Sequence, residues 1–150
     1  MAGQSQRIQI RDDLVKDLKQ INGAGKYHSV VKKVITEEPR KMIEKHEMPI
    51  LFIEMGQGEI DDRGGSHPLH VQPFIIHGGM YVGNKRDPDD ERDRLIKDVV
   101  RAVMDNANRS KTAVTTHITG PPITDLESGD QRRAFELPIE VRYLMPRNLI

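Results

Sequence analysis

The stretch that most limits what this chain can fold into runs from Asp87 to Asn108, DPDDERDRLIKDVVRAVMDNAN, where the start signals, the buried face and the stop agree on one long helix. Asp87 can cap the free backbone N–H groups, Pro88 suits the first helical position, and Asp89, Asp90 and Glu91 sit where the helix dipole favours negative charge. Leu95, Ile96, Val99, Val100, Val103 and Met104 then recur with the i, i+3, i+4 rhythm of a single apolar stripe. At a rise of about 1.5 Å per residue such a helix is about 30 Å long and can cross a small sheet from edge to edge. Its stripe needs a sheet to cover.

The remaining segments supply one. Between Ser5 and Asn22, Ile10, Leu14, Val15, Leu18 and Ile21 share a helical face, and Asn22-Gly23 offers a left-handed stop. Tyr27 to Ile35 reads as a strand broken by Lys32 and Lys33, and Pro39 to Met48 as a loop or one helical turn. Ile50-Leu51-Phe52-Ile53 is a short continuous apolar run of the kind found in inner strands. From Leu69 to Val82 the pattern changes parity around Pro73, which predicts a bulge or an edge position there. Thr112 to Thr119 alternates and stops at Gly120-Pro121-Pro122. Phe135, Leu137, Ile139, Val141 and Tyr143 give the cleanest alternation in the chain, with Pro138 on the outward face implying a second edge or bulge. The expectation is a single α+β domain over residues 1–150, with a largely antiparallel sheet of about five strands on two main helices in the order α-β-β-β-α-β-β.

Composition narrows the function classes. The 23 basic and 23 acidic side chains cancel, so net charge calls for neither nucleic acid nor an acidic membrane. With no cysteine there is no disulfide, thiolate metal site or cysteine nucleophile, which fits assembly in a reducing cytoplasm. No apolar run approaches the roughly 20 residues of a membrane span, and a soluble protein without a signal peptide is expected. Aromatic content of 4% leaves a thin core, part of which neighbouring subunits would cover.

Candidate chemistry is sparse. His67, His70 and His77 fall close together, but 67 and 70 lie on opposite parities of a strand, as do 70 and 77, so three imidazoles do not converge on one ion. Ser5, Ser29, Ser66, Ser110 and Ser128 have no nucleophile-elbow context. The acids from Asp87 to Asp93 read as a helix cap and a solvated face. The segment Gly56-Gln57-Gly58-Glu59-Ile60-Asp61-Asp62-Arg63-Gly64-Gly65 reads either as a phosphate cradle or as a mobile hairpin tip reaching a partner. The cradle is disfavoured, because Ser66-His67-Pro68 and a strand follow in place of a lysine and a helix, and the acids would repel phosphate. No enzymatic activity, cofactor, catalytic residue or metal is expected.

The layout as a whole carries more. A helix ending in a glycine turn, a valine-bearing strand, an apolar strand after Pro49, a long strand from Leu69, a helix introduced by Asp87-Pro88 and a final FELPIEVRY strand together resemble the tail terminator family of long-tailed bacteriophages, also called tail completion or minor tail proteins. The resemblance implies a structural virion protein, assembled in the host cytoplasm, whose copies form a ring of six at the head-proximal end of the tail tube. It would end tube polymerisation and offer the head–tail joining surface, with the tail tube protein and a head–tail connector or head-closure protein as partners. DNA would meet it only in passing through the lumen. By composition, Gly56 to Gly65 is the candidate ring or tube contact. The alternatives are another neck component, or a small ligand-binding domain or enzyme using the same segment as a lid.

Overall fold

The computed structural model describes residues 5–61, 69–83, 86–107, 109, 113, 115–124 and 131–144. Along these the chain forms α1 (Gln6–Leu18), β1 (Lys33–Ile35), a single 3-10 turn (Lys45–Glu47), β2 (Ile50–Met55), β3 (Glu59–Asp61), β4 (Leu69–Tyr81), α2 (Pro88–Met104), β5 (Thr115–Ile118) and β6 (Arg132–Leu144). The expected α+β order is present with one strand added, β3. The sheet runs β1-β2-β4-β6-β5, with β3 also paired to β4, giving six strands. Among the described residues only the β1–β2 pair is parallel.

Asp87 caps α2 as the sequence dictates, accepting from the Asp89 N–H at 3.0 Å, with Pro88 in the first turn. The helix ends at Met104 instead of continuing to Asn108. Leu95, Val99 and Val103 are fully buried, whereas Met104 is 40% exposed, so the stripe closes on Ala102 instead. Ser5 caps α1, and Ile10, Leu14 and Leu18 bury its inner face. Both helices share one core with Phe74, Ile76, Phe135, Leu137, Ile139 and Val141, so they cover the same face of the sheet. The opposite face carries half-exposed Val71, Pro73, Ile75, Glu136, Glu140 and Arg142, and no helix of the described residues lies over it.

Several expectations are corrected. The first helix stops at Leu18, with Gln20 and Ile21 N–H groups bonding back three residues; Gly23, at a φ of +78°, turns the chain later, into a bridge between Asn22 and Val30. Tyr27 to Ile35 is not one strand. The buried Asp98 carboxylate on α2 accepts the N–H groups of His28 and Ser29 at 3.1 and 2.8 Å, withdrawing them from any ladder; Val30 makes a single bridge, and the strand itself is Lys33–Ile35. Of the predicted 112–119 strand only Thr115–Ile118 is a strand; Thr112 and Val114 lie outside the described residues.

Nor does β4 change face at Pro73. Thirteen consecutive residues pair with thirteen of β6, Leu69 opposite Leu144 through Tyr81 opposite Arg132, without a break. Burial alternates strictly, with Gln72, Phe74, Ile76, Gly78 and Met80 facing the helices. The parity looked broken because the open face is apolar too and because a glutamine occupies a core position. The prolines are accommodated by the neighbouring strands. Pro73 accepts from Gly56 N–H where β2 gives way to β3, and Pro138 accepts from Thr119 N–H where β5 ends. The donor and acceptor of a strand residue face the same neighbour, so each missing N–H falls at a gap in the adjacent strand.

A buried polar cluster ties α1 to the end of α2. Arg109, completely buried and at a φ of +48°, donates to the Asp17 carboxylate and the Val103 carbonyl, and Asn106 donates to Asp13 at 2.9 Å. Burial pushes the Asp17 carboxyl pKa up and that of the guanidinium down, each against the attraction of its partner.

Two outcomes test this packing. A Cβ on Gly78 would stand 2.1 Å from the Phe135 ring, so Gly78→Ala should destabilise the fold by about 2–3 kcal/mol in urea denaturation, and by clearly less in a Phe135→Leu background. Asp98→Ala should cost about 2 kcal/mol by the same measure, and Asp98→Asn, which retains an acceptor, less.

Candidate functional site

The segment singled out from composition is only partly a free loop. Met55 pairs with Phe74 and Glu59 with Val71, so Gly56, Gln57 and Gly58 stand opposite only Gln72 and Pro73. This is a β-bulge, one extra residue in the outer strand. Glu59, Ile60 and Asp61 then resume pairing as β3, while Asp62, Arg63, Gly64 and Gly65 lie outside the described residues. The expectation of a flexible connection is therefore corrected for 56–61. Here glycine answers close approach: a Cβ on Gly56 would lie 3.0 Å from Pro73 Cγ, and one on Gly58 2.9 Å from Gln72 Oε1.

Gln72 explains the close approach. It points from the central strand into the core, 1% exposed, and its amide Nε2 donates to the Gly56 carbonyl at 2.6 Å and to the Pro73 carbonyl at 3.0 Å. A bulge leaves backbone groups outside the ladder, and a buried carbonyl without a donor is costly. The one buried polar side chain in the strand's inward row is the one that closes the bulge.

Beside this arm lies a cavity of about 460 Å³, lined by Ile60, His70, Gln72 and Tyr143 on the sheet and by Ser5 and Arg7 at the start of α1. Cross-strand register puts Ile60 beside His70, and His70 beside Tyr143, on the helix-side face. The His70 and Tyr143 rings are 5.1 Å apart, with the hydroxyl 3.5 Å from His70 Nδ1, and burial pushes the tyrosine pKa up. Ile60 is 61% exposed. Glu59 and Asp61 share the other face, where Asp61 stands 4.0 Å from Arg142.

The remaining candidates fall elsewhere. His77 sits on the open face, stacked on Phe52 with ring centroids 5.2 Å apart and flanked by Glu54 and Glu136 at 3.8 and 3.5 Å, so it and His70 lie on opposite faces as their parity required. His67 lies outside the described residues, among which no group of three or more metal-ligating side chains comes together. Asp89 and Asp90 form ion pairs with Arg133 and Arg94. Nothing in the sequence announced Gln72 as part of the site; its only signal was a polar residue between the strand's apolar ones.

The arrangement defines a two-layer α+β domain with a rigidly based edge strand beside a partly apolar groove. No protein-family model and no curated protein matches the sequence. Among solved structures, a chain from the "Virion of native gene transfer agent (GTA) particle" aligns over 93% of this chain and 92% of that one, at 14% identity and a TM-score of 0.42. That level of likeness leaves the function of this chain to its own residues.

Replacing Gln72 by leucine, near in volume but without the amide, should leave the fold intact while lowering stability by about 1–3 kcal/mol. Hydrogen exchange at 56–61 should accelerate more than at the β4–β6 centre. A uniform acceleration would show that Gln72 acts on the core and not on the bulge.

Proposed function

We propose that this protein is a structural subunit of a tailed-phage type of particle, and within it a tail terminator: a ring of copies at the head-proximal end of the tail tube. The observation that carries this reading is the element order and its folded arrangement. The layout that resembles the family, α-β-β-β-α-β-β in the sequence and enlarged by β3 in the fold, packs both helices on one face of the sheet. The other face is left half-exposed, mixing Val71, Pro73 and Ile75 with Glu136, Glu140 and Arg142. A ring subunit needs surfaces completed only by its neighbours, and a half-apolar sheet face on a chain whose basic and acidic side chains cancel suits repeated close packing of identical copies.

In this role the protein binds the growing end of the tube and offers no equivalent site to the next tube subunit. The 56–65 segment remains the proposed contact, anchored at its first half by the Gln72-closed bulge. The head-facing side meets the connector or head-closure protein, and DNA only passes through the lumen. The role is structural, not catalytic.

Particles assembled without the protein should carry tails of irregular, often excessive length that fail to join heads, as seen by negative-stain microscopy. Tails of normal length that fail only in joining would move the protein to another neck position. Normal tails normally joined would sink both.

A further inference from the structure

The outer edge of β3 combines three features. It pairs with β4 on one side, and no strand of the described residues occupies the other. The Gln72 amide and the tightly approached glycines fix its base. Its faces differ: exposed Ile60 borders the 460 Å³ cavity over His70 and Tyr143, while Glu59, which also reaches the cavity rim, and Asp61 alternate to the other face and give it negative charge. An unpaired edge is a template for another chain, and pockets beside such an edge read the alternate side chains of a strand added to it.

We propose that β3 is a strand-addition site, taking an extended segment of a second polypeptide. The segment's apolar side chains enter the cavity beside Ile60, His70 and Tyr143, and its basic side chains lie along Glu59 and Asp61. Asp61 already stands beside Arg142, so the exposed Glu59 carries most of the charge preference. The Ile60 N–H and C=O, which face away from β4, take the main chain of the added strand, and the two-faced pattern supplies selectivity. Because the edge is held before the partner arrives, little ordering is needed on binding. The inference rests on the terminator reading only for which virion chain supplies the strand.

The test uses the full chain and a short fluorescent synthetic peptide alternating lysine with valine, titrated by anisotropy. Two further versions carry N-methyl groups on alternate residues, one on the lysines and one on the valines. Strand addition engages one edge of the peptide, so one methylated version should bind like the parent and the other about tenfold more weakly. Glu59→Lys should weaken the parent about fivefold, and an otherwise identical peptide with glutamate for lysine should bind the wild-type chain more weakly than the parent. Equal binding of both methylated versions, no binding of the parent, or indifference to Glu59→Lys would overturn the proposal. The assay contains no tail component, so its failure leaves the terminator reading standing, and failure of the tail-length experiment leaves this site untouched.

Discussion

Everything in this fold hangs on the pairing of two long strands, β4 and β6. Their thirteen paired positions form the centre of the sheet, and each other strand attaches to one of them or to a strand already attached. Because side chains alternate, that one register assigns Phe74, Ile76, Phe135, Leu137, Ile139 and Val141 to the helix side together. A slip of one residue would turn the whole set toward solvent. The tolerance is narrow at Gly78, where the Phe135 ring occupies the space a side chain would need.

Polar residues then shape what the hydrophobic core cannot. The core favours burial without direction, but a hydrogen bond has an angle and a length. Asp98 on α2 takes two loop N–H groups and so prevents a longer first strand. Arg109 and Asp17 hold the turn after α2 against α1 in a buried pair. Removing charge from water costs both partners, and the directions of their pKa shifts reflect it. Such a pair adds less net stability than its contact implies, and its clearer consequence is that the chain after α2 has one place to go. Gln72 does the same for the bulge that launches β3, linking the core of the sheet to its proposed contact edge.

Much was legible before folding. The α2 cap and stripe, the inner position of β2 and the alternation of β6 each follow from signals within a few residues, where backbone preference and burial period agree. The misreadings share a cause. Tyr27 to Ile35 has strand-like residues, but the N–H groups of His28 and Ser29 go to a side chain about seventy positions away. Pro73 and Pro138 do sit at sheet irregularities, but those lie in β2–β3 and β5–Thr119, not in their own strands. The glycines at 56 and 58 read as freedom, and in the fold they mark crowding. Within the candidate contact segment, composition gave no sign of the strand at 59–61 or of the glutamine beneath it.

The sequence by itself determined the two main helices and their apolar stripes, the alternation of β6 and that the domain is α+β, because helix capping and side-chain periodicity are local properties of the chain. Tertiary structure alone decided the pairing order, the face both helices share, the partners of Asp98 and Gln72, and the side of β3 on which no strand of the described residues lies. These depend on residues far apart in sequence meeting in space. A hydrogen bond between Gln72 and Gly56, or a ring lying where a side chain on Gly78 would go, has no signature until the strands are side by side.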